Sequence, residues 1–129
     1  MNTRFTFSKQ ERLCGGTQVD RLFAQGNRQI AVFPVRLVWL RTDESGIRVL
    51  ISAPKRKFHH AVDRNHVKRQ IREFYRLNSA TLKAVAASKG VGLDLAFLFL
   101  DNRIWESSAL DSKLSQALDR LVKELENIS

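Results

Sequence analysis

The stretch AVDRNHVKRQIREFYR, residues 61–76, decides how the chain folds, because it lies between two segments that read as strands. Val67, Ile71 and Phe74 recur at i, i+4 and i+7, the spacing that gathers apolar side chains on one side of a helix. Val62 adds an apolar residue at the start. Arg64, Lys68, Arg72 and Arg76 form a row four apart, and Asn65, Arg69 and Glu73 form a second. Side chains four apart on a helix lie about 5–6 Å from each other between Cβ atoms. The pattern predicts a helix over residues 60–77 with one apolar stripe and rows of charge facing outward.

Working outward, residues 47–52 (IRVLIS) and 93–100 (LDLAFLFL) read as strands, the second with the length and apolar character of a buried one. Together with the helix they make a β–α–β unit. Residues 30–40 (IAVFPVRLVWL) are rich in β-branched and aromatic residues and end at the turn-like TDESG, 42–46, so this segment and 47–52 read as a hairpin. Pro34 calls for an edge position, or for two short strands broken there. Val19, Leu22 and Phe23 predict a short helix over 17–25, with Thr17 to cap it and Gly26 to end it. Residues 78–90 extend the central helix to a break at Ser88–Gly90. Leu110, Leu114, Ala117, Leu118, Leu121 and Leu125 form one stripe of a last helix over 108–126, with Ser107 or Ser108 as N-cap. With the first strand split at Pro34, the order is α-β-β-β-α-β-α. That is an α/β (α+β) two-layer sandwich of one mixed sheet, and residues 1–129 form a single RNA-binding domain without repeat, linker or low-complexity tract.

The RNA reading rests on charge. Lys and Arg number 22 against 13 Asp and Glu, a formal net charge of +9. Residues 1–54 carry a net +4, residues 55–76 a net +6, and residues 77–129 a net −1. Two thirds of the charge therefore sits in 22 residues, with Lys55, Arg56 and Lys57 extending the helical rows upstream. Such an excess points to nucleic acid before an anionic membrane. Like charges four apart destabilise an isolated helix by a few tenths of a kcal/mol per pair, and Glu73 is the single acid after Asp63, placed to pair with Arg69 or Arg76. A merely solvated face would intersperse acids, whereas a phosphate backbone supplies them. A membrane-surface helix would need its apolar stripe, which a small domain spends on its core. If about five phosphates are neutralised, log K falls with log[salt] at a slope of roughly −4 to −5.

Other chemistry is poorly represented. Cys14 is the only cysteine, which excludes an internal disulfide and suits a reducing, cytoplasmic setting. No apolar h-region follows Arg4 and Lys9, so no secretory signal is expected, and the apolar runs are too short to span a bilayer. His59, His60 and His66 have no Cys or carboxylate at ligand spacing beside them, and read as surface or phosphate-contacting side chains with no bound metal. There is no GxSxG, glycine-rich phosphate loop or HExxH. The chain offers no catalytic set of its own.

Arg64-Asn65-x-x-Lys68-Arg69-x-x-Arg72-Glu73-x-x-Arg76 resembles the RNR motif of the protein subunit of bacterial ribonuclease P. Ser52-x-x-Lys55-Arg56 and Ala61-Val62 fall where that family carries S-x-x-K-K and A-V. FSKQERL followed by Val19, Phe23 and Gly26 is similar to its opening helix, and Asp94 with the apolar strand to its D-h-h-h strand. One departure is the connection before Ala61, where Phe58-His59-His60 replace a glycine turn and add a residue. The resemblance implies a left-handed β-α-β crossover, where general rules favour a right-handed one. It also implies a function: the RNA subunit is the catalyst and removes the 5′ leader of precursor tRNA with Mg²⁺, held mainly by that RNA. The protein binds ribonuclease P RNA through Lys55, Arg56, Lys57, Arg64, Asn65, Lys68, Arg69, Arg72 and Arg76. It holds the leader in a cleft with Phe23, Phe33 and Arg36, needing neither a membrane nor an obligatory protein partner. Aromatic faces stack on unpaired bases of any identity, although the helical spacing of Phe23 equally suits a core residue. Phe33 and Arg36 share a cleft only if Pro34 breaks the strand alternation. The alternatives are a ribosomal-type RNA-binding protein, or a nuclease that cleaves unaided.

Overall fold

Strand β4, Gly92–Phe99, is apolar at nearly every position, and a strand of that kind needs both faces covered and neighbours on both edges. It occupies the interior of the sheet in a computed structural model that describes residues 28–42, 44–53, 58 and 60–127. The expected first helix with Phe23, and Lys55, Arg56, Lys57 and His59, lie outside the described residues. The elements are β1 (Arg28–Val32), β2 (Val35–Thr42), β3 (Gly46–Ser52), α1 (Ala61–Asn78), α2 (Ala80–Lys89), β4 and α3 (Ser107–Glu126). The described part is a mixed four-stranded sheet with helices, an α+β fold.

The sheet order is β1-β2-β4-β3. The first two strands pair antiparallel, with Val32 opposite Val35 across the turn at Phe33 and Pro34. Pro34 thus splits the apolar segment into two strands, the second of the two readings it allowed. The expected hairpin between residues 30–40 and 47–52 does not form. Instead β4 enters between them, antiparallel to β2 (Trp39 opposite Leu95) and parallel to β3 (Val49 opposite Leu95). Sequence neighbours lost to hydrophobicity: β4 has the most apolar surface to cover, and the interior position covers it.

That pairing sends Val35, Leu37, Trp39, Ile47, Val49, Leu93, Leu95, Phe97 and Phe99 to one face, where they meet the helices in the main core. Each fully buried side chain of this size contributes about 1.5–3 kcal/mol relative to exposure. Tyr75 and Phe97 meet edge to face at 6.0 Å, and Phe58 stacks on Phe99 at 5.9 Å. The other face carries a smaller cluster of Val38 and Ala96 with Leu40, Leu50 and Leu98 packed on it. Asp94 lies on that second face, fully buried and 3.1 Å from Arg48 Nε, tying β3 to β4. Where these strands begin, Gly92 stands opposite both Thr42 and Gly46. A Cβ there would fall 1.6 Å from the Glu44 carbonyl oxygen, so only glycine lets the 42–46 connection pass.

The central helical segment is two helices. Ser79 interrupts it, and the Asn78 amide donates back to the Phe74 carbonyl at 2.9 Å, the kind of side-chain competition that makes Asn and Ser poor in helix interiors. The end at Gly90 is as expected, in a left-handed conformation, with Val91 N donating to Ala86 O. The last helix begins at Ser107, so its N-cap is Glu106 and not a serine. Ser108 Oγ instead donates to Glu106 Oε1 at 2.8 Å. No helix among the described residues is long and apolar enough to cross a membrane.

Candidate nucleic-acid interface

Helix α1 is held by the stripe the sequence predicts. Val67, Ile71 and Phe74 are buried, joined by Tyr75, while Val62 is 77% exposed and takes no part in the core. At 100° per residue, the row Arg64, Lys68, Arg72, Arg76 runs beside this stripe and is half-buried at its stems. Asn65, Arg69 and Glu73 point outward and are exposed. Half-buried stems with exposed charges are the arrangement long basic side chains favour, and it limits the rotamer freedom that phosphate binding would otherwise cost.

The row is anchored at both ends. Arg64 Nη1 donates to the Phe58 carbonyl at 3.1 Å, and Phe58 is itself fastened to Phe99 in the core. Arg76 grips Glu73 through Nε to Oε1 at 3.0 Å and through Nη2 to Oε2. That hydrogen bond is the main reason the Glu73 carboxyl lies below its ordinary value and the Arg76 guanidinium above its own. Between the anchors, no carboxylate among the described residues reaches ion-pair distance of Lys68, Arg69 or Arg72. Three adjacent cations are left for an external anion.

The remaining predicted residues are placed less uniformly. Phe33 sits in the β1–β2 turn, 58% exposed, edge to face with Trp105 at 6.2 Å. Leu100 N donates to Pro34 O at 2.7 Å and holds that turn against the chain leaving β4. Arg36 is exposed on the face of the sheet opposite the helices, whereas Trp105 packs on the helix-side core. Phe33 and Arg36 are therefore directed to different sides of the sheet. Phe23, Lys55, Arg56 and Lys57 lie outside the described residues.

Sequence reading missed the second flank of α1. Gln70 Nε2 donates to the Trp105 carbonyl at 2.9 Å and to Ser107 Oγ at 3.1 Å, joining α1 to the start of α3. The spacing of His66 and Gln70, four apart on the side away from Arg64 and Lys68, was the available signal. Trp105 Nε1 in turn donates to Asp101 Oδ2 at 2.8 Å, which is the largest cause of the lowered Asp101 carboxyl. Among the described residues, no group of three or more His, Cys, Asp or Glu is arranged to hold a metal ion.

Residues 7–126 match the model of the Ribonuclease P family. The chain is 30% identical over 120 residues to the ribonuclease P protein component of Porphyromonas gingivalis strain W83, covering 91% of this chain and 87% of that one. It is 36% identical over 77 residues to the corresponding protein of Geotalea uraniireducens, covering 60% and 66%. Among solved structures, the ribonuclease P protein of Staphylococcus aureus superposes with a TM-score of 0.72 at 18% identity, covering 86% of this chain and 94% of that one. At that identity the likeness is one of fold.

Proposed function

The chain belongs to the ribonuclease P protein family, and from that premise we propose that it binds the catalytic RNA of ribonuclease P and the 5′ leader of precursor tRNA. The observation that carries this reading is the unpaired trio Lys68, Arg69 and Arg72 on a helix whose apolar side is already spent on the core. Arg64 and Arg76, fixed by Phe58 and Glu73, bracket the trio, with Asn65 beside it. Lys55, Arg56 and Lys57 continue the same charge upstream. Phosphate contacts of this kind fix register and orientation without reading sequence.

The leader runs along the face of the sheet that carries Arg36, whereas Phe33, held against Trp105 on the other side, lies off that path; Phe23 is a further contact on the resemblance alone. Stacking on aromatic side chains tolerates any base, as a leader that varies between precursors requires. The RNA subunit supplies the catalysis and holds most of the Mg²⁺. This chain contributes positioning: it neutralises phosphates near the reacting strand and raises the local affinity for substrate and ions. Its work is done in the cytoplasm, where precursor tRNA is matured.

The test is single-turnover cleavage of a precursor tRNA at low Mg²⁺, using the same organism's ribonuclease P RNA with and without this chain, beside a protein-only control. Stimulation that needs both components is expected. Tight RNA binding without stimulation would instead favour a ribosomal-type role, and cleavage by the protein alone would mean the active site is its own.

A further inference from the structure

The flank of α1 that carries His66 and Gln70, with Arg69 and Glu73 of the outer row at its rim, borders a groove of about 480 Å³ against the start of α3. Phe74 and Leu77 give it an apolar surface, and Leu77 is 50% exposed there with no apolar cover. Gln70 lines it too, but its amide has two N–H donors, and both are committed, to Trp105 O and Ser107 Oγ. With both N–H groups committed, Gln70 has no donor to offer the groove, and its Oε1 is buried with no hydrogen-bond partner. Glu73 is taken by Arg76. On the α3 side stand the Ser107 hydroxyl, which accepts from Gln70, and Asp111, an acceptor pair whose carboxyl is pushed up by burial. Its charge is thus incompletely solvated where it stands. Of the lining donors, His66 and Arg69 stand on the outward side of α1, where Arg69 belongs to the cationic rows, while the Ser107 hydroxyl and the second Asn78 N–H lie at the groove's other walls.

We propose that this groove holds one unpaired guanine base of the RNA bound by α1. The inference rests on the RNA-binding reading above and deepens it by naming a base-reading subsite. A base inserted edge-on lays one face against the wall formed by Leu77 and the edge of Phe74, and the cavity has room for it. Unstacked RNA bases are commonly recognised on their Watson–Crick edges. Guanine carries two adjacent donors there, N1–H and the N2 amino group, and a carboxylate accepts both. Guanine's acceptor on that edge, O6, lies beyond N1 and away from a carboxylate so engaged, whereas adenine, cytosine and uracil each offer one donor position flanked by an acceptor that would face Asp111. The phosphate of the inserted nucleotide then falls on the side of His66 and Arg69, continuous with Lys68 and Arg72.

Inosine lacks only the N2 amino group of guanosine, so it reports this contact. The catalytic RNA is transcribed with about one inosine per molecule in place of guanosine. The fraction bound by the full chain is then selected and the positions depleted of inosine are mapped. Depletion at a discrete unpaired position is expected with the native protein. It should vanish with Asp111→Asn, which should also bind unmodified RNA about tenfold more weakly. Asp111 is exposed, so the fold tolerates the change. An inosine pattern that is the same for both proteins, or absent from both while the RNA binds tightly, overturns the guanine subsite and leaves the ribonuclease P reading standing. RNA that does not bind the native chain at all overturns that reading, and the subsite with it.

Discussion

Helices α1 and α3 rest on the same face of one sheet, and both bury an unbroken apolar stripe: Val67, Ile71, Phe74 and Tyr75 in one, Leu110, Leu114, Ala117, Leu118, Leu121 and Leu125 in the other. Their outer surfaces diverge. Along α3 the two signs are interspersed, Asp111, Lys113, Asp119, Arg120, Lys123, Glu124 and Glu126, as on an ordinary solvated helix. Along α1 Lys68, Arg69 and Arg72 lie close together, and no carboxylate among the described residues pairs with them, Glu73 being taken by Arg76. Core packing explains the inner half of both helices and the outer half of neither. The imbalance on α1 works against the isolated helix and acquires a physical reason only with a polyanion beside it.

The likeness of the inner halves is the first thing to break. Ile71→Ala and Leu121→Ala each remove a fully buried side chain and should each cost about 2–5 kcal/mol, measured by urea denaturation. A small loss for Ile71→Ala alone would mean that α1 is not held by its stripe. The difference between the outer halves comes next. Replacing Lys68, Arg69 and Arg72 together by Ala should flatten the salt dependence of RNA binding by about 2–3 in slope. Stability in the same urea titration should stay level or rise by a few tenths of a kcal/mol as like-charge repulsion is relieved. An unchanged slope would move the RNA face elsewhere. Adding charge to α3 sharpens the contrast. Asp119→Lys with Glu124→Lys raises the net charge as much as the trio lowers it, give or take one unit. If position matters more than total charge, RNA affinity should change by less than about threefold at moderate salt.

The smallest effect belongs to the Glu73–Arg76 pair. Glu73→Gln releases Arg76 from its carboxylate and should steepen the salt slope by at most about 1. Because the folded Glu73 carboxyl lies below its ordinary value, the pair is intact above the usual carboxylate range. It is lost only as pH falls through that lowered value. Wild-type and Glu73→Gln slopes should therefore differ at neutral pH and converge in acid, and slopes that are equal at neutral pH would show that the pair does not restrain Arg76.

The start and phase of α1 were legible in the sequence, because three apolar residues at helical spacing and two charged rows agree, while the break at Ser79 was not. The strand order was not. Adjacent segments joined by TDESG suggested a hairpin, and the competing signal was the absence of alternation in LDLAFLFL, which marks a strand with neighbours on both sides. Asp94 illustrates the same point: a lone carboxylate in an apolar strand takes Arg48 as a partner, 46 residues away, which spacing along the chain does not reveal. At the site, the cationic rows were readable because they follow helical geometry. The Gln70 flank was not, since its meaning depends on Trp105 and Ser107 arriving from another element. Tyr75 escaped notice because its hydroxyl makes it look like a surface residue, yet its ring packs on Phe97.

The insertion of β4 between β2 and β3 also sets a schedule for the newborn chain. As the polypeptide is synthesised from its N-terminus, β3 and α1 emerge first, and β3 has no strand partner among the described residues until residues 92–99 follow. An 18-residue helix carrying this much like charge is marginal without its platform, and pairings between distant segments form late. The cationic rows therefore gain their fixed geometry in one late event, when β4 closes the sheet beneath them. Until then an unfinished chain lacks the rigid face that the proposed RNA binding requires, so on that reading docking in the proper register would wait until β4 has emerged.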